Sequence, residues 1–167
     1  MGLETLQVHH RHPDSRWSTE RSERARVAPV PTLPDGLSDH PARAASIASM
    51  TAVEAGNREE WLALFADDAV VQDPIGVSPL DPTGFGHRGK DAIASFYDSV
   101  IAPNVVRFAV RESWEAGVEV ANVGRITTTM PDGTVVHTDG VFTYRLDDEG
   151  KVAALRAYWS IDRLTFG

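Results

Sequence analysis

The chain has 167 residues, a formal net charge of −8 and no cysteine. This length suits one domain that is large enough to bury a core. The acidic balance argues against binding to nucleic-acid phosphates or to an anionic membrane surface, and the lack of cysteine excludes disulfides and thiolate metal sites. No apolar run approaches the roughly 18 residues of a membrane span, and the N-terminus lacks the apolar segment of a signal peptide, so we expect a cytoplasmic protein.

Residues 1–40 differ in composition from the rest of the chain. They are rich in histidine, arginine and proline and show little periodic apolar pattern. Such a segment cannot bury enough surface to offset the entropy lost on ordering, so we predict a disordered extension followed by one domain at residues 41–167. The run His9–His12 contains three histidines, but histidines near a mobile terminus are more often solvated than metal-bound, and we expect no metal site.

Two helices are predicted at the start of the domain. The first begins near Asp39, as its cap, with Pro41 in its first turn, and it breaks at Gly56. The second begins at Asn57 in a capping-box pattern and ends in the solvated pair Asp67–Asp68. Its core-facing stripe consists of the apolar residues at i, i+3 and i+4, which are Trp61, Leu64 and Phe65.

A strand that ends at Asp73 follows the second helix. Side chains alternate along a strand, so the Asp73 carboxylate shares a face with Ala69 and Val71, which should point inward. Pro74 removes a backbone donor and favours an extended conformation at the aspartate. Two interpretations remain open for this residue: a carboxylate aimed into a pocket, or an aspartate that caps its own strand-ending turn.

A long loop rich in glycine and proline, residues 74–89, leads to a third helix over about Lys90–Val100. A loop of this length is typical of a rim or lid. Tyr97 lies at the edge of the apolar face of the helix, where a buried phenol needs a hydrogen-bond partner.

The remainder predicts strands joined by tight turns, with Gly140 as a bulge or bend. The predicted strands are Val105–Arg111, Val118–Met130, Thr134–Leu146 and Lys151–Trp159. Helices followed by antiparallel strands indicate an α+β fold, in which a long bent sheet wraps over the helices as a cone. At its open end Asp73, Tyr97 and Trp159 would converge on an apolar pocket.

Three segments resemble the bacterial ketosteroid isomerases (steroid Δ-isomerases) of the nuclear transport factor 2-like, or SnoaL-like, superfamily. They are Leu64-Phe-Ala-Asp-Asp-Ala-Val-Val-Gln-Asp-Pro-Ile-Gly76, Gly89-Lys-Asp-Ala-Ile-Ala-Ser-Phe-Tyr97 and Gly150-Lys-Val-Ala-Ala-Leu-Arg-Ala-Tyr-Trp159. The resemblance covers roughly residues 43–160. It implies a cystatin-like roll, with about three N-terminal helices packed against a strongly bent antiparallel or mixed sheet, and a homodimer that uses no cofactor.

The resemblance also implies roles for individual residues. In the family, the aspartate that matches Asp73 is the general base that carries a proton between the α and γ carbons of a steroid ketone. Tyr97 matches a tyrosine of the active-site hydrogen-bond network, and Trp159 matches an aromatic residue that packs on the steroid. Trp61 and Phe142 are expected as further walls of the substrate site.

The oxyanion hole departs from the family pattern. The family pairs a tyrosine of the first helix with a protonated aspartate of the penultimate strand, and these positions fall on Ser49 and Phe142. Asp139 would replace the missing aspartate if a bulge turned it inward, although its parity opposes that of Phe142. Losing one oxyanion donor costs on the order of 10² to 10³ in rate, so the sequence leaves the strength of any isomerase activity open.

Two other functions compete with an isomerase acting on a steroid or other apolar ketone. One is a non-catalytic protein that binds a hydrophobic, steroid-like ligand. The other is a different chemistry on the same cone, such as polyketide cyclisation or epoxide hydrolysis, for which Arg125 and Arg156 are the candidate arginines.

Overall fold

The computed structural model describes residues 29–167, and within that range the chain forms three α-helices and one seven-stranded sheet. The elements in chain order are α1 Pro41–Glu54, α2 Arg58–Ala63, β1 Phe65–Gln72, β2 His87–Arg88, α3 Gly89–Phe96, a π-helical turn Tyr97–Ile101, β3 Val105–Ala116, β4 Glu119–Thr129, β5 Val135–Leu146, β6 Val152–Tyr158, a 3-10 turn Ile161–Arg163 and β7 Thr165–Phe166. Helices packed on a curled, mostly antiparallel sheet confirm the predicted α+β class.

The sheet has the strand order β2-β1-β6-β5-β4-β3, with β7 paired to β5. The pairing of β1 with β6 is parallel and every other pairing is antiparallel, so the sheet is mixed. The antiparallel registers shift between Val110 and Glu112 and between Arg145 and Leu146, and such irregularities bend a strand. Helix α1 packs against β3, β4 and β5, which leaves a cavity between the helices and the sheet.

Of the two predicted N-cap residues, the one of α2 is confirmed and the one of α1 is not. Asn57 caps α2 as predicted, because its side-chain oxygen accepts a hydrogen bond from the Glu60 N–H at 3.3 Å. The predicted cap of α1, Asp39, is wrong by one position. His40 is the N-cap residue; its extended backbone starts the helix without a side-chain cap, and its ring bonds the Gly117 carbonyl instead.

The predicted end of the second helix at Asp67–Asp68 is also wrong. Helix α2 ends at Ala63, and both aspartates lie inside β1. Phe65, predicted on the helical stripe, is the first residue of the strand and is fully buried, while the strand pairs with β6 along the sheet. Pairing with a strand that is distant in sequence therefore overrode the local helical spacing.

Gly140 lies in a regular part of the sheet, opposite Gly124, so the predicted bulge at this residue is wrong. A Cβ at position 140 would lie 2.7 Å from the Tyr158 carbonyl oxygen and 3.2 Å from the Trp159 Cβ. Glycine is needed here because another backbone approaches closely, which brings the chain after β6 against β5.

The segment before α1 lies along the edge strand β3. Thr32 forms a parallel bridge with Ala109, and Ser38 bonds Glu115, which also pairs with the buried Arg43. The extension predicted over residues 1–40 and the histidine run fall largely on residues 1–28, outside the described residues. No helix within residues 29–167 is long and apolar enough to cross a membrane.

Candidate active site

A cavity of about 460 Å³ lies between the helices and the curled sheet. Its lining comes from all three helices, from the π-helical turn and from strands β1 and β3 to β7, and it is mainly apolar. The polar or titratable side chains among the lining residues are Ser49, Trp61, Asp73, Ser99, Asn104, Thr128, Thr138, Tyr144 and Trp159. An enclosed apolar space with a few polar groups is the common form of a small-molecule site.

Asp73 lies at the end of β1, and its carboxylate faces this cavity. Trp159, which follows β6, donates its indole N–H to the Asp73 Oδ1 atom at 2.5 Å. The second oxygen, Oδ2, has no hydrogen-bond partner within residues 29–167. Burial in the apolar cavity raises the pKa of Asp73, and the bond from Trp159 opposes that rise. The site therefore holds a carboxylate with one fixed oxygen and one available oxygen.

Ser49 on α1 joins a second polar group at the closed end of the cavity. Its Oγ atom lies 2.9 Å from the Trp61 indole nitrogen and 3.2 Å from the Tyr144 hydroxyl oxygen. All three side chains are at least 96% buried. Burial raises the pKa of Tyr144 to about 12, and the nearby Asp73 carboxylate adds to that rise. Tyr144 therefore stays protonated and can act as a hydrogen-bond donor.

Sequence reasoning missed Tyr144. Its signal was the alternation along β5, because Tyr144 shares an inward face with Phe142, which also lines the cavity. Trp159 and Trp61, both expected at the site, line the cavity as well.

Tyr97 does not line the cavity. It begins the π-helical turn and packs in the core, where its ring centroid lies 5.3 Å from that of Trp61. Its hydroxyl has no partner in the described part of the chain, and burial raises the pKa of this phenol. The indole N–H of Trp61, rather than the phenol of Tyr97, reaches Ser49.

Asp139 is also absent from the cavity lining and lies on the outer face of the sheet. It pairs with Arg111 at 2.9 Å and with Arg125 at 2.6 Å, and these arginines hold the pKa of its carboxyl at about 2. β5 is regular at this point, so no bulge turns the side chain inward. The carboxylate is thus committed to surface ion pairs. The homodimer that the family resemblance implies stays a prediction.

The two candidate arginines of the epoxide chemistry do not line the cavity either. Arg125 binds Asp139, and the Arg156 Nε donates to the Gln72 side chain at 2.9 Å. Side chains alternate along β6, so Leu155 faces the cavity and its neighbour Arg156 lies on the opposite face.

A family model, a similar protein sequence and similar solved structures all assign the chain to one family. The SnoaL-like domain family matches residues 47–155. A steroid Δ-isomerase of Nocardioides simplex is 30% identical over 119 residues, which are 71% of this chain and 89% of that protein. The crystal structure of a Δ5-3-ketosteroid isomerase from Mycobacterium sp. is 46% identical with a TM-score of 0.75, and the match covers 77% of this chain and 100% of that one.

A Mycobacterium tuberculosis protein, solved in complex with estradiol-17β-hemisuccinate, is 38% identical with a TM-score of 0.74. That match covers 77% of this chain and 100% of the solved chain. These similarities agree with the observed fold, in which helices pack on a curled, mixed sheet. The chain belongs to the SnoaL-like family of the nuclear transport factor 2-like superfamily and is ketosteroid isomerase-like.

Proposed function

We propose that this protein transfers a proton from the α carbon to the γ carbon of a steroid or similar apolar ketone, with Asp73 as the general base. The observation that carries the proposal is a carboxylate in an apolar cavity with one oxygen fixed by Trp159 and the other available. The steroid isomerase similarities support the ketone as substrate.

The cavity suits Asp73 to this chemistry in two ways. Burial raises its pKa, which makes the carboxylate a stronger base than an aspartate in water. The Trp159 N–H holds Oδ1, so Oδ2 is the oxygen that takes the proton from the α carbon. The C–H bond breaks, its electron pair moves into a dienolate, and the same carboxyl returns the proton to the γ carbon.

The negative charge on the dienolate oxygen needs a hydrogen-bond donor, and Ser49 with Tyr144 supplies one. The Ser49 oxygen is within hydrogen-bond distance of both the Trp61 indole N–H and the Tyr144 hydroxyl, so three polar hydrogens lie in this group. The indole N–H and one hydroxyl proton are used within the group, whichever hydroxyl donates to the other. One O–H therefore has no acceptor within residues 29–167, and both hydroxyls belong to side chains that line the cavity. We assign that proton to the ketone oxygen.

The test of the base is hydrogen exchange at the substrate. Wild type should exchange the acidic C–H of androst-5-ene-3,17-dione for deuterium and form the conjugated enone, which ultraviolet absorption detects. Asp73→Asn keeps an acceptor for Trp159 but cannot take a proton, so the rate should fall by roughly 10² to 10⁴. Asp67→Asn, at an exposed position of β1, is the matched control and should keep the wild-type rate. Equal exchange by wild type and Asp73→Asn would overturn the proposal.

A non-catalytic binder of an apolar ligand is the second candidate. It is favoured by Phe142, which lines the cavity where the family has a carboxylic acid, and by Asp139, which lies on the outer face. This candidate predicts saturable binding of a steroid to wild type with no exchange of its acidic hydrogens. Exchange that depends on Asp73 would exclude it.

Epoxide hydrolysis has less support from the site. That chemistry needs an arginine between two carboxylates, and the residues that line the cavity include Asp73 but no arginine. Release of a diol from an epoxide substrate by wild type would favour epoxide hydrolysis over ketone isomerisation.

A further inference from the structure

Thr138 is a buried polar residue that the proposed chemistry does not use. It lies on β5, two residues before Gly140, and its side chain is 92% buried and lines the cavity. Its hydroxyl has no hydrogen-bond partner within the described residues. Within residues 29–167 the Thr138 oxygen is not one of the fully buried atoms that lack a partner, so it stays accessible from the cavity, where a polar group of a ligand can bond it.

A second hydroxyl lies near Thr138. The register places Ile126 of β4 opposite Thr138, and Thr128 follows two residues later on the same face. Diagonal neighbours of this kind lie about 7–8 Å apart across an antiparallel pair. Thr128 also lines the cavity and also lacks a side-chain partner within residues 29–167. Two unused hydroxyls therefore face the same part of an otherwise apolar wall.

These threonines lie far from the group that would bind the ketone. Six residues separate Thr138 from Tyr144, and an extended strand of that length spans about 20 Å. Beyond Thr138, β5 reaches Val136, which pairs with the exposed Phe166 at the outer end of the cavity. The hydroxyls of Thr138 and Thr128 thus lie in a different part of the cavity from those of Ser49 and Tyr144.

We propose that Thr138, with Thr128 beside it, binds a second polar group of the ligand, so that the ligand is an elongated apolar ketone with a hydroxyl at its far end. The proposal rests on the proposed function, which places the ketone at Ser49 and Tyr144. A hydroxyl matches the threonines better than a ketone does, because it can both donate to and accept from them.

The experiment compares two probes by equilibrium dialysis. Testosterone has a 3-ketone and a 17β-hydroxyl, and androst-4-en-3-one has the same rings and ketone without the 17-oxygen. Thr138→Val keeps the shape of the side chain but removes its hydroxyl. We expect this variant to weaken testosterone binding about fivefold or more relative to androst-4-en-3-one, which is the effect of one hydrogen bond of about 1 kcal/mol.

Two further variants separate recognition from structure. Thr138→Ser retains the hydroxyl and should retain the wild-type preference between the probes. Thr127→Val alters a neighbouring β4 position whose hydroxyl bonds the His137 ring, outside the cavity lining, and should leave both affinities unchanged. Equal effects of Thr138→Val on both probes, or no effect on either, would overturn the second polar contact.

These outcomes remain distinct from those of the proposed function. Exchange that depends on Asp73, without discrimination between the probes, would overturn only the role of Thr138. Lack of saturable binding of both probes to wild type would overturn both proposals for steroids. Discrimination without exchange would support the threonine contact and the binding candidate together.

Discussion

The paired hydroxyls of Ser49 and Tyr144 predict an unusual mutant cycle. Ser49→Ala leaves the Tyr144 hydroxyl without an internal acceptor, and Tyr144→Phe leaves the Ser49 hydroxyl in the same position, so each single variant keeps one O–H for the ketone oxygen. We expect each to lose only a few-fold in exchange rate. The double variant has no such donor and should lose on the order of 10² to 10³, the usual effect of removing an oxyanion donor.

The assay is the rate of deuterium exchange at androst-5-ene-3,17-dione, measured for the wild type, both single variants and the double variant. If each single variant loses about threefold, independent effects would multiply to about tenfold. A loss in the double variant that exceeds this product at least tenfold corresponds to a coupling of about 1.4 kcal/mol.

A loss of cavity structure would mimic this result, since Ser49→Ala also leaves the Trp61 N–H without its acceptor. Binding of 5α-androstane, which has the rings but no ketone, should therefore remain unchanged in all four proteins. Losses that simply multiply, or a double variant as active as the singles, would refute the shared-donor reasoning.

Three other predictions concern the neighbourhood of Asp73. Trp159→Phe removes the bond that opposes the raised pKa of Asp73, so the acid limb of the exchange rate should move to higher pH; an unmoved limb would contradict this. Asp73→Asn should have a higher melting temperature than wild type near pH 7, because the ionised Asp73 carboxylate destabilises the folded state above its raised pKa. Calorimetry should show this difference in melting temperature shrinking toward about pH 3, where the wild-type carboxyl is protonated in both the folded and the unfolded state. Gly140→Ala should destabilise the fold by about 1–3 kcal/mol in urea unfolding, because its Cβ meets the Tyr158 carbonyl at 2.7 Å, and wild-type stability would show that the strands separate freely.

The sequence was most informative where one local rule acted alone. The alternation of apolar residues before Asp73 gave a carboxylate that faces the cavity as one of two open interpretations, and Asp73 does line the cavity. The Asn57 cap followed from a similar short pattern. The end of α2 did not, since Phe65 continues a helical spacing but belongs to a strand whose partner lies almost ninety residues later, at Val152.

The polar partners of the site were harder to predict because they depend on contacts between distant elements. Ser49 and Tyr144 are 95 residues apart, and no local pattern shows that their hydroxyls meet. The alternation of β5 did contain the relevant information: from Phe142 it places Tyr144 on the same face and Asp139 on the other. The family pattern placed the aspartate position on Phe142 and left Asp139 as a replacement that needed a bulge, whereas strand parity counted from Phe142 leads to Tyr144.

The energetics of Asp73 favour a proton-transfer role over passive binding. An ionised carboxylate in an apolar cavity is destabilising, and burial raises its pKa for that reason. A wall that only holds an apolar ligand gains nothing from such a charge, since an amide would accept the Trp159 N–H equally well. A base, by contrast, becomes stronger through the same loss of solvation. The cost in stability and the gain in basicity have one physical cause, the loss of solvation of the Asp73 carboxylate, and that gain in basicity is what the proposed general base needs.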